Sequence, residues 1–224
     1  MRSIQAFNYL FGKMLNRRKT YLNHSLLYLD RKRVLDRNYM DHIRLATLEL
    51  VADEINMGDL VGSVAELGVY KGKFARYINQ YFPQRKLYLF DTFDGFSEAD
   101  ITIEKQKDFS SGEQDFSNTS VQEVLKRMPH PGQCIIKQGY FPDTAAGLEE
   151  EYVFVSIDTD LYEPVYNGLN YFFPRLKKGG YIFIHDYNND GYKGVRNAVA
   201  KYCKENDIPR LPLPDAAGTA ILMK

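Results

Sequence analysis

The sequence predicts an α/β protein with a doubly wound, mostly parallel sheet, because apolar strand-like runs alternate with helical segments over residues 39–224. The run at residues 152–157 is almost entirely apolar and ends in Asp158, which is typical of a central parallel strand. A turn at Gly68 and Gly72 connects another short apolar run to a helix. In such a sheet, ligands bind at the carboxyl ends of the strands.

The segment before this pattern, residues 1–38, is basic and aromatic, with basic groups at residues 17–19 and 31–33. It suits either a helix on a membrane surface or a helical arm that packs on the domain or on a second subunit. We favour the arm, because the charges are local and the formal net charge of the chain is zero. We also expect the protein to form a homo-oligomer.

The first helix of the domain is predicted from Asp41, with an apolar face formed by Ile43, Ala46, Leu50 and Val51. The elements that follow are a strand at 63–67, a helix at 74–81, a strand at 86–91, a helix at 121–128 capped by Asn118 or Thr119, and a strand from Cys134. After these come a strand at 152–158, a helix capped by Asp160, a strand at 181–186 after Gly179 and Gly180, and a helix after Gly191. An antiparallel pair at 210–214 and 218–224 closes the domain.

One polar segment, residues 97–118, interrupts this alternation, and its few apolar residues show no periodicity. Loops of this length inside a domain are usually functional or disordered. A lid over a bound cofactor and a passive insertion are both compatible with the sequence.

The turn at Gly68 has features of a nucleoside site, because Asp91 follows it by 23 residues at the end of the next strand. A dinucleotide fingerprint requires a glycine where the pyrophosphate contacts the backbone, and Tyr70 occupies that part of this loop. Glu66 would repel a pyrophosphate but suits a cationic amino group. S-adenosylmethionine, with a ribose, an amino acid end and no phosphate, therefore fits better than NAD. The alternative is a plain strand–turn–helix corner.

Carboxylates follow three predicted strands, at Asp91, Asp158 and Asp186. Asp158 and Asp186 could ligate one hard cation such as Mg²⁺, although helix capping is an alternative role. His185 is a candidate structural imidazole, base or nitrogen ligand. Because adjacent strand residues point to opposite faces, His185 and Asp186 can share a metal only if the strand ends there.

Composition narrows the class of protein further. The formal net charge of zero gives no electrostatic footprint for nucleic acid. Cys134 and Cys203 have no metal-type spacing and fit a reducing compartment. No signal peptide or membrane span is evident, so we expect a cytoplasmic protein.

Five segments in order resemble the macrocin O-methyltransferase (TylF-type) family of class I S-adenosylmethionine-dependent enzymes. They are ELGVYKG at 66–72, FDTFDGF at 90–96, GYFPDT at 139–144, IDTDLYEP at 157–164 and GGYIFIHDY at 179–187. The resemblance implies a seven-stranded Rossmann-like sheet and methyl transfer to a hydroxyl, commonly on a sugar of a small glycosylated product. The family usually has Asp-Asp-Tyr where this chain has His185-Asp-Tyr187, which alters one metal ligand.

The resemblance also implies roles for individual residues. The cofactor's methionine end would lie against Glu66, Gly68, Tyr70 and Gly72, its ribose against Asp91, and its adenosine against Thr92, Phe93, Gly139 and Tyr140. Asp158, Asp186 and His185 would bind the metal, with Asp158 the first choice as base and His185 the second. The competing interpretations are a catechol-type O-methyltransferase with a flat aromatic acceptor, a nicotinamide-dependent oxidoreductase or sugar epimerase, and a non-catalytic adenosyl-binding protein.

Overall fold

Seven strands and six α-helices make up the part of the chain that the computed structural model describes, residues 41–224. The strands are β1 (Ser63–Leu67), β2 (Leu87–Asp91), β3 (Cys134–Gln138), β4 (Tyr152–Ile157), β5 (Leu176–Ile184), β6 (Leu211–Pro212) and β7 (Ala220–Met223). The helices are α1 (His42–Met57), α2 (Ala75–Tyr81), α3 (Glu98–Gln106), α4 (Val121–Arg127), α5 (Tyr162–Arg175) and α6 (Lys193–Asn206). The predicted arm at residues 1–38 lies outside the described residues and stays a prediction.

The strands form one sheet in the order β3-β2-β1-β4-β5-β7-β6. Strands β1 to β5 pair in parallel, whereas β7 is antiparallel to both β5 and β6. The predicted doubly wound sheet and its antiparallel closing pair are therefore confirmed. The chain runs outward from β1 to β3 and then returns to β4 on the other side of β1. This reversal opens a crevice at the carboxyl ends of β1 and β4.

The core of the sheet is rich in aromatic side chains. Phe172 of α5 packs its ring 5.7 Å from that of Phe90 and 5.1 Å from that of Tyr152, with both pairs edge to face. Edge-to-face contacts match the charge distribution of aromatic rings and add to the free energy of burial. Helix α5 is thus packed by aromatic contacts against strands β2 and β4, next to the crevice.

The predicted apolar face of α1 is largely wrong, although Val51 of that face is buried at 6% exposure and Ala46 is half-buried. Leu45, Leu48 and Ile55 are fully buried, whereas Ile43 is 38% exposed and Leu50 37% exposed. Apolar residues occur on most sides of this helix, so their periodicity does not single out one face. The buried side also contains two charged residues, Arg44 and Glu49, which no apolar pattern could indicate.

Three element ends also differ from the prediction. The last parallel strand begins at Leu176 rather than after Gly179 and Gly180, and it contains both glycines. Helix α4 is capped by Ser120, whose hydroxyl accepts from the Glu123 N–H at 3.3 Å. Asp160 does not cap α5, because its φ of +60° places it in a left-handed turn before the helix.

The segment at residues 97–118 is partly helical, which corrects the expectation of an aperiodic loop. Helix α3 begins after Ser97, and its buried residues are the acids Asp100 and Glu104. Because the residues it buries are polar, hydrophobic periodicity could not reveal this helix. Glu104 is fully buried and accepts from the Tyr162 N–H at 2.8 Å, so it caps α5 across the fold. The lid interpretation stays a prediction for a segment anchored in this way.

None of the helices in residues 41–224 is long and apolar enough to span a bilayer.

Candidate active site

A cleft of about 340 Å³ lies at the carboxyl edge of the sheet. Ten of the twelve predicted site residues line it: Glu66, Gly68, Tyr70, Asp91, Thr92, Gly139, Tyr140, Asp158, His185 and Asp186. The other two lie just outside the lining. Gly72 packs against α4, where an added Cβ would lie 3.0 Å from side-chain carbons of Val124 and Met128. Phe93 is 8% exposed and belongs to the turn after β2.

Gly68 forms the floor of the cleft where β1 ends. Its φ is +84°, and a Cβ at this position would lie 2.1 Å from the carbonyl oxygen of Asp158. Side chains are disfavoured at that φ, and a contact of 2.1 Å with backbone cannot be relieved by a rotamer change. The loops after β1 and β4 can approach this closely only because residue 68 is glycine.

Asp91 organises the loop that follows β1. One carboxylate oxygen accepts from the N–H groups of Val69 and Tyr70 at 2.6 and 2.7 Å, and the other accepts from the Phe93 N–H at 2.7 Å. A carboxylate offers about four lone-pair positions. Three are used by these contacts, so one position on Oδ1 remains for a ligand hydroxyl.

Glu66 presents a buried acid at the end of β1. It is 1% exposed, and its Oε2 has no hydrogen-bond partner within the described part of the chain. Burial, together with the nearby negative charges of Asp158 and Asp91, raises the pKa of Glu66 well above its usual value. A cationic ligand group would supply both the missing hydrogen bond and the missing positive charge.

A charged cluster fills the opposite side of the cleft, after β4 and β5. Asp158 Oδ2 accepts from the Arg44 guanidinium at 3.0 Å, and its Oδ1 lies 3.0 Å from His185 Nδ1. The same His185 nitrogen lies 2.7 Å from Asp186 Oδ2, and Asn189 donates to Asp186 Oδ1 at 2.7 Å. The structure therefore brings Asp158, His185 and Asp186 into contact, as their positions after the strands predict.

The end of β5 explains how neighbours in sequence reach one point. The strand ends at Ile184, and the His185 N–H still bonds to Ile157 O at 3.0 Å. Asp186 then turns out of the sheet with a φ of +57°. The condition set by the sequence, that the strand must end before His185 and Asp186, is satisfied.

The protonation states of the cluster follow from its charges. Burial alone would raise the pKa of Asp158, but His185 and Arg44 outweigh burial and hold it well below its usual range. Burial would lower the pKa of His185, yet the charge of Asp158 raises it to about 10. Burial and the charges of Asp158 and Asp186 raise the pKa of Asp160 well above normal.

The sequence profile of the macrocin O-methyltransferase (TylF) family matches residues 32–223, most of the chain. The protein belongs to this family. It is 24% identical over 193 residues to the 8-demethyl-8-(2,3-dimethoxy-α-L-rhamnosyl)-tetracenomycin-C 4′-O-methyltransferase of Streptomyces olivaceus, covering 81% of this chain and 72% of that one.

Solved structures agree with the fold of this TylF-family enzyme. The O-methyltransferase NovP superposes with a TM-score of 0.65 at 20% identity, covering 81% of this chain and 79% of its own. The calicheamicin methyltransferase CalS11 also gives 0.65, at 19% identity over 80% and 78% of the two chains. The family shows that the protein is an O-methyltransferase, which removes the nicotinamide-dependent and non-catalytic interpretations.

The donor atoms of the charged cluster fit a divalent cation. Asp158, His185 and Asp186 each offer one potential ligand atom, and these atoms lie within 4.8 Å of one another. Asp158 Oδ1 and Asp186 Oδ2 both lie within hydrogen-bond distance of His185 Nδ1, so the three potential ligand atoms are adjacent. The chemistry of the donor set is therefore compatible with the metal that the family resemblance implies.

Sequence reasoning missed two residues of this TylF-family site. Arg44 is 2% exposed, its second nitrogen donates to Ser156 Oγ at 3.1 Å, and its guanidinium lies 3.7 Å from the centre of the Phe74 ring. Asp100 is 4% exposed and accepts from the Tyr140 hydroxyl at 3.0 Å in the cleft wall. Both partners are far away in sequence, so no local motif indicates either contact.

Three aromatic rings, of Tyr70, Phe96 and Phe116, pack together in the lining of the cleft. The ring of Phe116 lies 5.0 Å from that of Tyr70 and 5.1 Å from that of Phe96, both edge to face. The Tyr70 hydroxyl donates to Asn118 at 2.6 Å, which ties the segment at residues 97–118 to the glycine loop. These three rings give part of the cleft lining an aromatic character.

Proposed function

We propose that this enzyme transfers the methyl group of S-adenosylmethionine to a hydroxyl of a sugar or glycosylated small molecule. One observation carries the proposal: a loop suited to an adenosyl amino acid and a cluster of acids and an imidazole face each other across one cleft. Membership of the TylF family supports the methyl donor. The names of two relatives support a sugar acceptor, since one is a rhamnosyl-tetracenomycin 4′-O-methyltransferase and CalS11 is also described as a TDP-rhamnose 3′-O-methyltransferase.

The donor side of the cleft would bind S-adenosylmethionine by charge and shape. Glu66 would take the ammonium group through its unpartnered Oε2, and Asp91 would accept a ribose hydroxyl at its remaining lone pair. Gly139 and Tyr140 would border the adenine. Since the sulfonium is already a good leaving group, these contacts act mainly by aligning the methyl carbon with the acceptor oxygen.

Asp158, His185 and Asp186 would hold a divalent cation, Mg²⁺ or another, on the acceptor side. When bound, such a cation lowers the pKa of a nearby hydroxyl and helps to orient it. Arg44 and Asn189 would keep the two carboxylates in place through their hydrogen bonds to the outer oxygens. Ligand orientation by such partners commonly matters as much as the ligands themselves.

Between the two predicted bases, the structure supports Asp158. His185 has its pKa raised to about 10 and already carries a proton at neutral pH, so it cannot accept another. Asp158 is ionised and can accept one, although Arg44 and His185 make it a weak base. Proton transfer to Asp158 would be easier once its contact with His185 opens.

The test has two stages. Isothermal calorimetry should show binding of S-adenosylhomocysteine and no binding of NAD or NADP. Transfer of a labelled methyl group should then be measured on a panel of rhamnosides, other glycosides and catechols, with and without a chelator. Methylation of glycosides supports the proposal. Methylation of catechols alone would replace it with the catechol-type alternative, and absence of S-adenosylhomocysteine binding would contradict the donor site.

A further inference from the structure

The imidazole of His185 places a nitrogen atom between two carboxylates of the charged cluster. Its Nδ1 lies 3.0 Å from Asp158 Oδ1 and 2.7 Å from Asp186 Oδ2. Ligands at adjacent corners of an octahedron with bonds of about 2.1 Å are separated by about 3 Å. Both distances from His185 Nδ1 match the separation of adjacent ligands in such a site.

Each donor residue is also held by a neighbouring group that is not itself one of the three donors. Arg44 occupies the outer oxygen of Asp158, and Asn189 occupies the outer oxygen of Asp186, at 3.0 and 2.7 Å. The backbone of His185 is fixed to β4 by its bond to Ile157. One oxygen of each acid is therefore left for a ligand, and the imidazole is positioned between these two oxygens without rearrangement of the backbone.

The donor set, two carboxylate oxygens and one imidazole nitrogen, differs from a set made of oxygen alone. Mg²⁺ is a hard cation that prefers oxygen ligands and water. Imidazole nitrogen favours first-row transition cations, whose affinity for mixed nitrogen and oxygen sites rises from Mn²⁺ towards Cu²⁺. The same three positions should therefore bind different metals according to whether residue 185 is histidine or aspartate.

We propose that His185 makes this a nitrogen-containing metal site, which selects a first-row transition cation such as Co²⁺, Fe²⁺ or Zn²⁺ over Mg²⁺. The inference rests on the proposed function, in which the same cluster holds the metal. It assigns His185 as a ligand through Nδ1, which releases its proton to solvent when the metal binds, and makes it the residue that determines metal preference.

The experiment uses untagged full-length protein freed of metal by a chelator and titrated with Co²⁺ or Mg²⁺. Calorimetry should show Co²⁺ binding at least about tenfold more tightly than Mg²⁺. The Co²⁺ protein should show a hyperfine-shifted proton resonance that disappears in D₂O, which is the signature of an imidazole N–H on a coordinated ring. In His185→Asp this resonance should be lost, and the preference for Co²⁺ over Mg²⁺ should fall by about tenfold or more.

His130→Asn is the matched control, because His130 is exposed and lies outside the cleft. It should keep both the resonance and the preference for Co²⁺. The inference is overturned if wild-type protein binds Mg²⁺ as tightly as Co²⁺, if its Co²⁺ complex lacks the resonance, or if it binds neither metal. The wild-type spectrum decides even if the aspartate variant fails to fold. Binding of S-adenosylhomocysteine and methyl transfer to glycosides, measured in parallel, report separately on the proposed function.

Discussion

Replacing Arg44 with methionine should reveal how much the charged cluster depends on a single buried cation. The variant keeps an unbranched apolar chain in place of the arginine stem but removes the hydrogen bonds to Asp158 and Ser156. Removing one partner of a buried ion pair costs about 3–5 kcal/mol, because the other charge is left uncompensated. Asp158 keeps 24% exposure and its contact with His185, so we expect a smaller loss of about 2–4 kcal/mol in the free energy of unfolding.

Urea unfolding of metal-free protein, followed by circular dichroism, measures this loss. Arg127→Met is the control, because Arg127 is exposed on α4 and its replacement should change stability by no more than about 0.5 kcal/mol. Asp158→Asn and the double variant complete a cycle, for which we expect a coupling of about 1–3 kcal/mol between residues 44 and 158. A coupling near zero would refute the ion pair as the source of the effect.

The pH dependence of the Arg44 effect has a defined sign. Asp158 has a lower pKa in the folded state than in the unfolded state, where the pKa of aspartate is about 4. Its ionisation therefore stabilises the folded protein fully at pH values above the unfolded pKa. This stabilisation is lost as the pH falls through the folded pKa. The difference between wild type and Arg44→Met should therefore be constant from about pH 5 to 8 and narrow below about pH 4. A difference that grows in acid would contradict the assignment.

Three further predictions concern the glycine loop, the cap of α5 and the imidazole. Gly68→Ala should weaken S-adenosylhomocysteine binding in calorimetry by at least about tenfold, because the added Cβ pushes the loop away from β4. Gly132→Ala is the control, since the space around Gly132 is open and its affinity should not change. Equal affinities for the two variants would contradict the close approach of the loops. Glu104→Ala should lower the free energy of unfolding by about 1–2 kcal/mol through loss of the α5 cap, and an effect no larger than that of the exposed Glu113→Ala would refute this role. His185→Gln should be less stable than wild type at low pH, and this difference should disappear as the pH rises. The reason is that the pKa of His185 is higher in the folded state than the unfolded value of about 6.5, so its protonation stabilises the fold below pH 6.5 and this stabilisation is lost as the pH rises through about 10. Urea unfolding of metal-free protein at pH 6 and pH 10 measures that deficit, and a larger deficit at pH 10 would reverse the sign.

The parts of the fold that the sequence could predict are those with a local signal. Strand β4 is a single apolar run, and its carboxylate follows directly at Asp158. The interval from Gly68 to Asp91 likewise lies within one strand–helix–strand unit. Parallel strands bring their carboxyl ends to the same edge, so the positions of these acids in the cleft followed from their positions in the chain.

The parts that could not be predicted depend on pairs that are distant in sequence. Arg44 is separated from Asp158 by 114 residues, and Glu104 from the Tyr162 N–H by 58. In both helices, a charged residue occupies the buried face, which periodicity assigns to apolar residues. Such residues look like ordinary surface charges until the tertiary structure supplies their partners.

The topology of the sheet explains why the glycine loop and the charged cluster lie in one cleft. The chain leaves β1 in one direction and returns to β4 on its other side, so the loops after these two strands become neighbours without any connection between them. Gly68 lets their backbones come into contact, and the Asp158 N–H bonds directly to Leu67 O at 2.8 Å. A cofactor bound over the β1 loop is then next to the acid of β4, and β5 adds His185 and Asp186 from the following position in the sheet. The distance between the β1 and β4 loops is therefore set by the strand separation of about 4.8 Å rather than by the lengths of the surface loops.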